Sequence, residues 1–244
     1  MRFNCLQSPF NDVAMRRAIA MAVTQQDYLV AAGGSQPGAS RQCMSLFPCT
    51  GAAEDQAYGQ VLGGPRDVDR APGMISAAGH AAEKLVVLNA SDSGIVRPYG
   101  AITADLLTRF GFQVDLVETD FNTMIGRRNG NKGPVAQSGW SVFHTWWSGV
   151  TIDNPVTNVL LRGLGEDGYA GWYRDDRIED LVSQWLDAAS PAAERQMADA
   201  VLKQAMDQLP TIPLGMTFVF TAFRKDLSGI LPGVALFPWN VRRI

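Results

Sequence analysis

The sequence predicts a layered α/β or α+β domain, because segments of strand character alternate with segments of helical periodicity along most of the chain. The strand segments are short and rich in β-branched residues, such as residues 84–88. The helical segments carry apolar residues three and four positions apart and end at a glycine or a proline. With 244 residues, of which 46% are hydrophobic, the chain is long enough to bury a substantial core.

The N-terminal elements are a short strand over residues 2–6 and two helices. Asp12 supplies an N-cap for the first helix. The apolar face of this helix is predicted to comprise Met15, Ala18, Ile19 and Ala22. The second helix is expected to end at Gly33-Gly34, because glycine readily adopts the left-handed conformation that closes a helix.

Residues 33 to about 72 show no periodicity and are rich in small and polar residues. Stretches of this length without regular structure are uncommon inside compact domains and are often functional. This one contains Cys43 and Cys49, which either form a disulfide or remain two free thiols, since spacing alone does not pair cysteines.

Beyond this loop the alternation resumes. We predict helices over residues 68–78, 99–110 and 121–128, and strands over residues 84–88, 113–118 and 140–147. The last third is mainly helical, with one helix over residues 178–189 and another that follows Ser190 and has Pro191 as its first residue. Pro210 ends that helix, and the β-forming residues 212–223 predict a further strand.

Charge and motif content exclude several classes of function. A net charge of −3 and a pI near 5.4 give no phosphate-neutralising surface, so nucleic acid is not an expected partner. No apolar run reaches the roughly 20 residues that cross a bilayer, and residues 1–5 do not begin a signal peptide. Nucleotide-binding, serine-hydrolase and zinc-protease motifs are missing from the sequence. Its 2 histidines are too few for a histidine-based metal cluster, so no cofactor or metal is expected.

Residues 138–149 stand out because they contain three of the 6 tryptophans. Rigid aromatic side chains give a large contact area at a small loss of conformational entropy, which suits the wall of a ligand site. Strand alternation would place Trp140, Val142, His144 and Trp146 on one face and Phe143 and Trp147 on the other. One of these faces is therefore expected to line a cleft. On composition alone, a purely structural role in the core is equally favoured.

Charged residues near this segment each have a functional and a structural interpretation. Asp153 opens an Asp-Asn-Pro turn and is either a helix cap, which the local sequence favours, or a ligand acceptor. Arg127 and Arg128 precede a stretch rich in Gly and Asn. A solvated turn is the default there, and an arginine that binds a carboxylate is the alternative.

A set of motifs that covers nearly the whole chain carries a family resemblance. The motifs are PFNDV and RRAIAMA at residues 9–22, GWSVFHTWW at 139–147, DNP at 153–155, DRIEDL at 176–181, IPLG at 212–215 and FPWNV at 237–241. In this order they resemble the family 5 solute-binding proteins, which are the peptide- and nickel-type extracytoplasmic receptors of ABC importers.

The resemblance implies the C-terminal lobe of a type II periplasmic-binding-protein-like fold, in which a mixed sheet is flanked by helices. Residues 1–230 would form this lobe, and residues 231–244 would be a tail that packs on a first lobe outside this chain. The implied protein is the substrate-binding component of an ABC importer, located in the periplasm or otherwise outside the cytoplasm. It would capture a peptide-like or other small polar solute and deliver it to a membrane permease, and it would not be an enzyme.

The same resemblance implies a set of ligand-binding residues. Trp147 matches the cleft tryptophan of peptide-binding relatives, which places Val150 where those relatives have an aspartate that pairs with the peptide amino group. A buried ammonium without its carboxylate costs about 3–5 kcal/mol. The site is therefore not expected to hold an ordinary peptide amino terminus at Val150, although Asp153 lies close enough in sequence to substitute.

Further positions complete an aromatic-lined pocket. Phe121 falls where relatives have an aromatic residue, Arg128 falls where they have a ligand-facing arginine, and His144 precedes Trp146 at a position that can face the ligand. Arg128 would be available to a carboxylate of the solute. Two other interpretations stay open: a hydrolase that uses a Cys or Ser with His144, and an interaction module such as a peptide-holding domain.

Overall fold

The computed structural model describes residues 1–33, 37–49, 66–231 and 237–244, so part of the long predicted loop and Gly34 lie outside the described residues. The strands in chain order are β1 (Arg2–Phe3), β2 (Ser40–Arg41), β3 (Lys84–Ala90), β4 (Gln113–Thr119), β5 (Val142–Phe143), β6 (Met216–Thr217), β7 (Leu227–Ser228) and β8 (Arg242–Arg243). The central sheet has the order β1-β5-β3-β4. β3 runs parallel to β4 and to β5, whereas β1 is antiparallel to β5. The sheet is mixed, and the predicted fold class is confirmed.

The helices in chain order are α1 (Val13–Ala22), α2 (Gln25–Gly33), α3 (Arg70–Ala77), α4 (Tyr99–Arg109), α5 (Phe121–Gly130), α6 (Asp176–Leu186) and α7 (Pro191–Gln208). The Asp12 carboxylate accepts a hydrogen bond from the backbone N–H of Ala14 at 2.8 Å, which confirms the predicted N-cap of α1. The Ser190 hydroxyl caps α7 in the same way. Among the described residues, no helix combines the length and the apolar character needed to cross a membrane.

Helices cover both faces of the central sheet. Phe143, at the end of β5, contacts Arg128 of α5, while the next residue, His144, is hydrogen-bonded to Thr103 of α4. Because successive residues of an extended chain point to opposite sides, α4 and α5 lie on opposite faces of the sheet. The whole predicted apolar face of α1 is buried in the same core.

Three predicted strands are shorter than the sequence indicated, and in the segment 2–6 only Arg2–Phe3 pairs as a strand. In the segment 140–147 only Val142–Phe143 pairs as a strand, and in the segment 212–223 only Met216–Thr217 does. The latter pairs with β2, after which the chain leaves the sheet and Val219 is 84% exposed. High β-propensity reflects fit to a pleated, half-buried surface, and the exposed residues 218–223 have no such surface beside them in the described part of the chain.

A candidate ligand crevice at the carboxyl edge of the sheet

The order of the strands marks one edge of the sheet as the place for a ligand. From β3 the chain crosses to β4 on one side, and it then returns past β3 to β5 on the other side. Open α/β sheets bind ligands outside the carboxyl ends of their strands, where the strand order reverses in this way. Here the reversal lies between the carboxyl ends of β3 and β5, and residues 146–157, which follow β5, are named the wall segment below.

Aromatic and apolar side chains of the wall segment reach the surface. Trp146 is 53% exposed and Val150 is 48% exposed, although both follow directly on the buried strand β5. Trp147 is half-buried and packs edge-on against Tyr169, with ring centroids 5.7 Å apart. The indole nitrogen Nε1 of Trp147 is buried and has no hydrogen-bond partner among the described residues. Buried N–H groups are normally paired, whereas this donor lacks a hydrogen-bond acceptor in the described part of the chain.

Asp153 lies on the same segment and is exposed to solvent. One of its carboxylate oxygens accepts a hydrogen bond from the Asn154 side chain at 2.9 Å. The cap that local sequence assigned to Asp153 belongs instead to Asn154, whose Oδ1 accepts from the backbone N–H groups of Val156 and Thr157, each at 3.1 Å. The expected capping role of Asp153 is thus wrong, and its carboxylate is accessible to a ligand.

Arg128 is a buried cation held by aromatic rings. Its guanidinium carbon lies 4.8 Å from the ring centroid of Phe143 and 5.2 Å from that of Tyr169. Nη1 donates to the phenol oxygen of Tyr169 at 3.2 Å, and Nε donates to Asn129 Oδ1 at 3.1 Å. Burial lowers the pKa of Arg128, but arginine stays protonated in proteins. Among the described residues its hydrogen-bond partners, Tyr169 and Asn129, carry no charge, which leaves a desolvated cation able to bind an anionic group.

Arg128 lies in a helix and not in the solvated turn that its sequence favours. A solvated turn was expected for Arg127 and Arg128, yet α5 continues to Gly130, so that both arginines lie in its last turn. Arg128 is only 7% exposed. Helical geometry therefore turns this side chain toward the sheet.

Phe121 is the first residue of α5 and lies at the carboxyl edge of β4. Its backbone N–H donates to Asp92 Oδ1 at 2.9 Å, which ties the start of α5 to the segment that follows β3. The Asp120 carboxylate caps the helix by accepting from the N–H of Thr123 at 3.0 Å. These bonds fix the backbone at the start of α5, where the half-buried Phe121 side chain packs against the core.

His144 is buried rather than open to the crevice. It is 1% exposed, and its Nε2 lies 2.8 Å from the Thr103 hydroxyl, which is itself 2.9 Å from the Tyr28 phenol oxygen. The ring also packs edge-on against Tyr99, with centroids 5.8 Å apart. Burial lowers the pKa of His144 well below its ordinary value, so the imidazole is neutral. A hydrolase would need a reachable nucleophile and an orienting carboxylate, and His144 has neither among the described residues.

The expected division of the aromatic segment into a core face and a cleft face is wrong. Trp140, Val142, Phe143 and His144 are all buried, whichever way they point. The reason is that β5 is an inner strand between β1 and β3 with helices on both sides, so both of its faces are core. Exposure begins only at Trp146, where the strand has ended.

Sequence reasoning missed Tyr169, which brings several of these groups together. Its ring contacts Arg128, Trp147 and Phe143. Tyr169 lies in an irregular segment far along the chain from all three, and no periodicity or motif distinguishes it. The structure also joins Cys43 to Cys49 by a disulfide, with the two Cα atoms 5.7 Å apart.

The sequence of this chain is similar to one protein family and to known binding proteins. The chain matches the family described as "Bacterial extracellular solute-binding proteins, family 5 Middle" over residues 1–158. It is 32% identical over 244 residues to the probable peptide ABC transporter periplasmic-binding protein y4tO of Sinorhizobium fredii (strain NBRC 101917 / NGR234), which covers 100% of this chain and 45% of that protein. It is 24% identical over 236 residues to Di/tripeptide-binding protein 2 of Pseudomonas aeruginosa (strain UCBPP-PA14), covering 93% of this chain and 41% of that protein.

The fold of this chain is also similar to that of a solved binding-protein structure. The crystal structure of a dipeptide binding protein from Pseudoalteromonas sp. SM9913 in complex with Met-Leu matches with a TM-score of 0.75 at 21% identity, over 100% of this chain and 47% of that one. The mixed sheet, its flanking helices and this match define a lobe of a periplasmic-binding-protein fold. The chain belongs to family 5 of the bacterial extracellular solute-binding proteins. It spans less than half the length of the curated relatives that it matches, which are binding proteins and not enzymes.

Proposed function

We propose that this chain is the C-terminal lobe of the solute-binding component of an ABC importer that works outside the cytoplasm. It captures a small peptide-like or other polar organic solute that carries a carboxylate, and the closed receptor delivers the solute to a membrane permease. The observation that carries this proposal is the set of an exposed Trp146, an unpaired indole N–H at Trp147 and a buried Arg128 guanidinium whose hydrogen-bond partners among the described residues are uncharged.

The donors favour an anionic group on the solute. A desolvated guanidinium binds a carboxylate through charge-assisted hydrogen bonds, which are about twice as strong as neutral ones. Tyr169 touches both Arg128 and Trp147, so the two donors border a common aromatic surface. A carboxylate of the solute beside this surface would be attracted by the guanidinium.

The wall segment disfavours a free amino terminus at one position. Val150 supplies an apolar side chain where peptide-binding relatives have an acid, so an ammonium there would lack a partner. The exposed Asp153 carboxylate is the nearest substitute along the chain, and it is turned to its own neighbour Asn154. We therefore infer that the solute presents a blocked or missing amine to Val150.

A second wall is needed to complete the site. Small ligands are normally about 70–90% buried in their sites, but Trp146 and Val150 lie on one open surface. We propose residues 1–230 as the lobe and residues 231–244 as a tail that packs on the first lobe of the complete receptor. Exposed apolar side chains of the tail support such packing: Leu231, Phe237, Trp239 and Ile244. A hinge motion that closes the two lobes would then present the loaded receptor to the permease.

Isothermal titration calorimetry on the complete two-lobed receptor tests this function. We expect N-acetylated dipeptides to bind at least as tightly as free dipeptides, and C-terminal amidation to weaken binding at least tenfold, because it removes the carboxylate. The 244-residue chain alone should bind neither with micromolar affinity. A strong preference for the free amine would overturn the inference from Val150, and indifference to amidation would overturn the role of Arg128.

A further inference from the structure

We propose that the disulfide-closed loop of residues 43–49, named the disulfide loop, is a support that sets the position of the wall segment. Asn158 is the positioning residue that joins the two. The effect on solute affinity rests on the proposed function, whereas the effect on the wall segment itself does not.

The wall segment needs support from outside, because it makes little regular structure of its own. Apart from the 3₁₀ turn Gly149–Thr151, no helix or strand lies in it. Its Trp146, Val150 and Asp153 side chains are turned outward. Segments with few internal backbone bonds and exposed side chains open locally unless buried contacts hold them.

Asn158 supplies such a contact. It is completely buried, and its Nδ2 donates to the backbone carbonyl of Leu46 in the disulfide loop at 2.7 Å and to that of Ile152 in the wall segment at 3.1 Å. Its Oδ1 accepts from the backbone N–H of Leu160 at 3.1 Å. One amide thus joins three backbone segments, and this use of two donors and one acceptor is specific to an amide side chain.

The disulfide loop also lies next to the wall segment at a second place. A Cβ added to Gly149 would lie 3.5 Å from Cγ of Pro48, so Pro48 faces the 3₁₀ turn that carries Val150 across a space that a methyl group would fill. The Leu46 side chain is buried in the core. The loop is therefore packed between the core and the underside of the wall segment.

The start of the disulfide loop is anchored to α2. The buried Gln25 side chain accepts from the backbone N–H of Cys43 at 2.7 Å and donates to its carbonyl at 2.6 Å. The same Nε2 donates to the carbonyl of Pro213 at 2.9 Å. The Cys43–Cys49 bond then fixes the far end of the loop to this anchored point, which keeps the Leu46 carbonyl opposite Asn158.

Hydrogen–deuterium exchange on the ligand-free 244-residue chain tests the proposal without any solute. We compare the oxidised protein with the same protein reduced by dithiothreitol, with Cys43→Ala/Cys49→Ala, and with Asn158→Asp, which keeps the acceptor but places a carboxylate against two carbonyls. Cys5→Ala and Asn11→Asp are the matched controls, because Cys5 is the free thiol of the described residues and Asn11 is an exposed asparagine next to α1.

The expected result is local. Exchange of the backbone amides in the wall segment should rise about tenfold in the reduced protein and in both variants, as for the loss of one buried hydrogen bond, while β3 and the controls stay unchanged. No change in the wall segment, or a uniform rise over the whole chain, would overturn the proposal. The reduced wild-type protein keeps the test valid where a variant fails to fold.

Affinity of the complete receptor for an N-acetylated dipeptide provides the second readout, measured well below the melting temperature. Binding should weaken at least tenfold in Asn158→Asp and on reduction, and should stay unchanged in both controls. If the wall segment loosens but no dipeptide binds even the wild-type receptor, the support stands and the proposed function fails. If dipeptides bind and the loosened receptor binds them equally well, the positioning role is overturned.

Discussion

Arg128 and Tyr169 lie against each other, with the guanidinium carbon 5.2 Å from the ring centroid and Nη1 donating to the phenol oxygen at 3.2 Å. The tyrosine thereby holds the cation in one orientation without neutralising it. Because Trp147 packs on the same ring, a positive charge and two aromatic side chains lie together on this side of the crevice. A fixed, desolvated cation beside an aromatic surface suits a planar carboxylate.

Replacing Arg128 by lysine should therefore weaken carboxylate binding. Lysine keeps the charge but cannot stack on two rings or present a planar pair of donors, so we expect about a tenfold to hundredfold loss of affinity for an N-acetylated dipeptide. Tyr169→Phe removes only the hydroxyl and should lower the affinity for the N-acetylated dipeptide by a smaller factor. Titration calorimetry on the complete receptor measures both, with Arg97→Lys on the exposed segment before α4 as the control. Equal affinities for wild type and Arg128→Lys would contradict this role.

Substitution of two tryptophans should distinguish a loss of solute affinity from a loss of fold stability. Trp146 is 53% exposed, so Trp146→Ala should lower solute affinity by about tenfold or more and leave the melting temperature nearly unchanged. Trp140 is fully buried and its Nε1 donates to the carbonyl of Arg128 at 3.0 Å. Trp140→Ala should therefore destabilise the fold by about 3–5 kcal/mol. Calorimetric affinities and urea unfolding of both variants check this contrast, and a large loss of stability in Trp146→Ala would refute it.

The sequence allowed the helices and the long strands to be predicted, because their signals are local. The N-cap at Asp12, the Ser190-Pro191 start and the apolar face of α1 need no information from distant residues. The lengths of β5 and β6 were overestimated, because a strand extends only as far as a neighbour pairs with it. Propensity does not say where that neighbour stops.

The candidate site was only partly predictable for a similar reason. Trp146, Trp147 and Arg128 could be singled out by composition and family motifs, and the structure brings Trp147 and Arg128 to one ring. Tyr169 and Asn158 could not, since their contacts come from segments remote in sequence. The burial of His144 likewise follows from helix α4 lying over β5, which no local pattern shows.

The buried His144 should make the fold less stable in mild acid. Burial holds its pKa well below the ordinary value of 6.5, so the folded state keeps the imidazole neutral while the unfolded state takes up a proton. The unfolded state then binds more protons, and stability that is complete above pH 6.5 falls by up to about 1.4 kcal/mol per pH unit below it. Urea unfolding between pH 7.5 and about pH 5 should show this slope, and His144→Gln should reduce it to the part that comes from the buried Met1 amine, whose pKa burial lowers to about 5. His80→Gln, at a partly exposed histidine next to Glu83, is the control substitution.

Val150→Asp should change which end of a solute the crevice accepts. The side chain is 48% exposed on the wall segment, so a carboxylate there is hydrated in the open form and adds little strain. It would supply the acid that a peptide ammonium needs, and we expect affinity for free dipeptides to rise at least tenfold relative to N-acetylated ones. Val30→Asp, at a similarly exposed valine on α2, places the same charge outside the crevice and should leave the ratio unchanged. Calorimetry with both ligands on each receptor measures the ratio; no shift in Val150→Asp would mean that the wall segment does not meet the amino end of the solute.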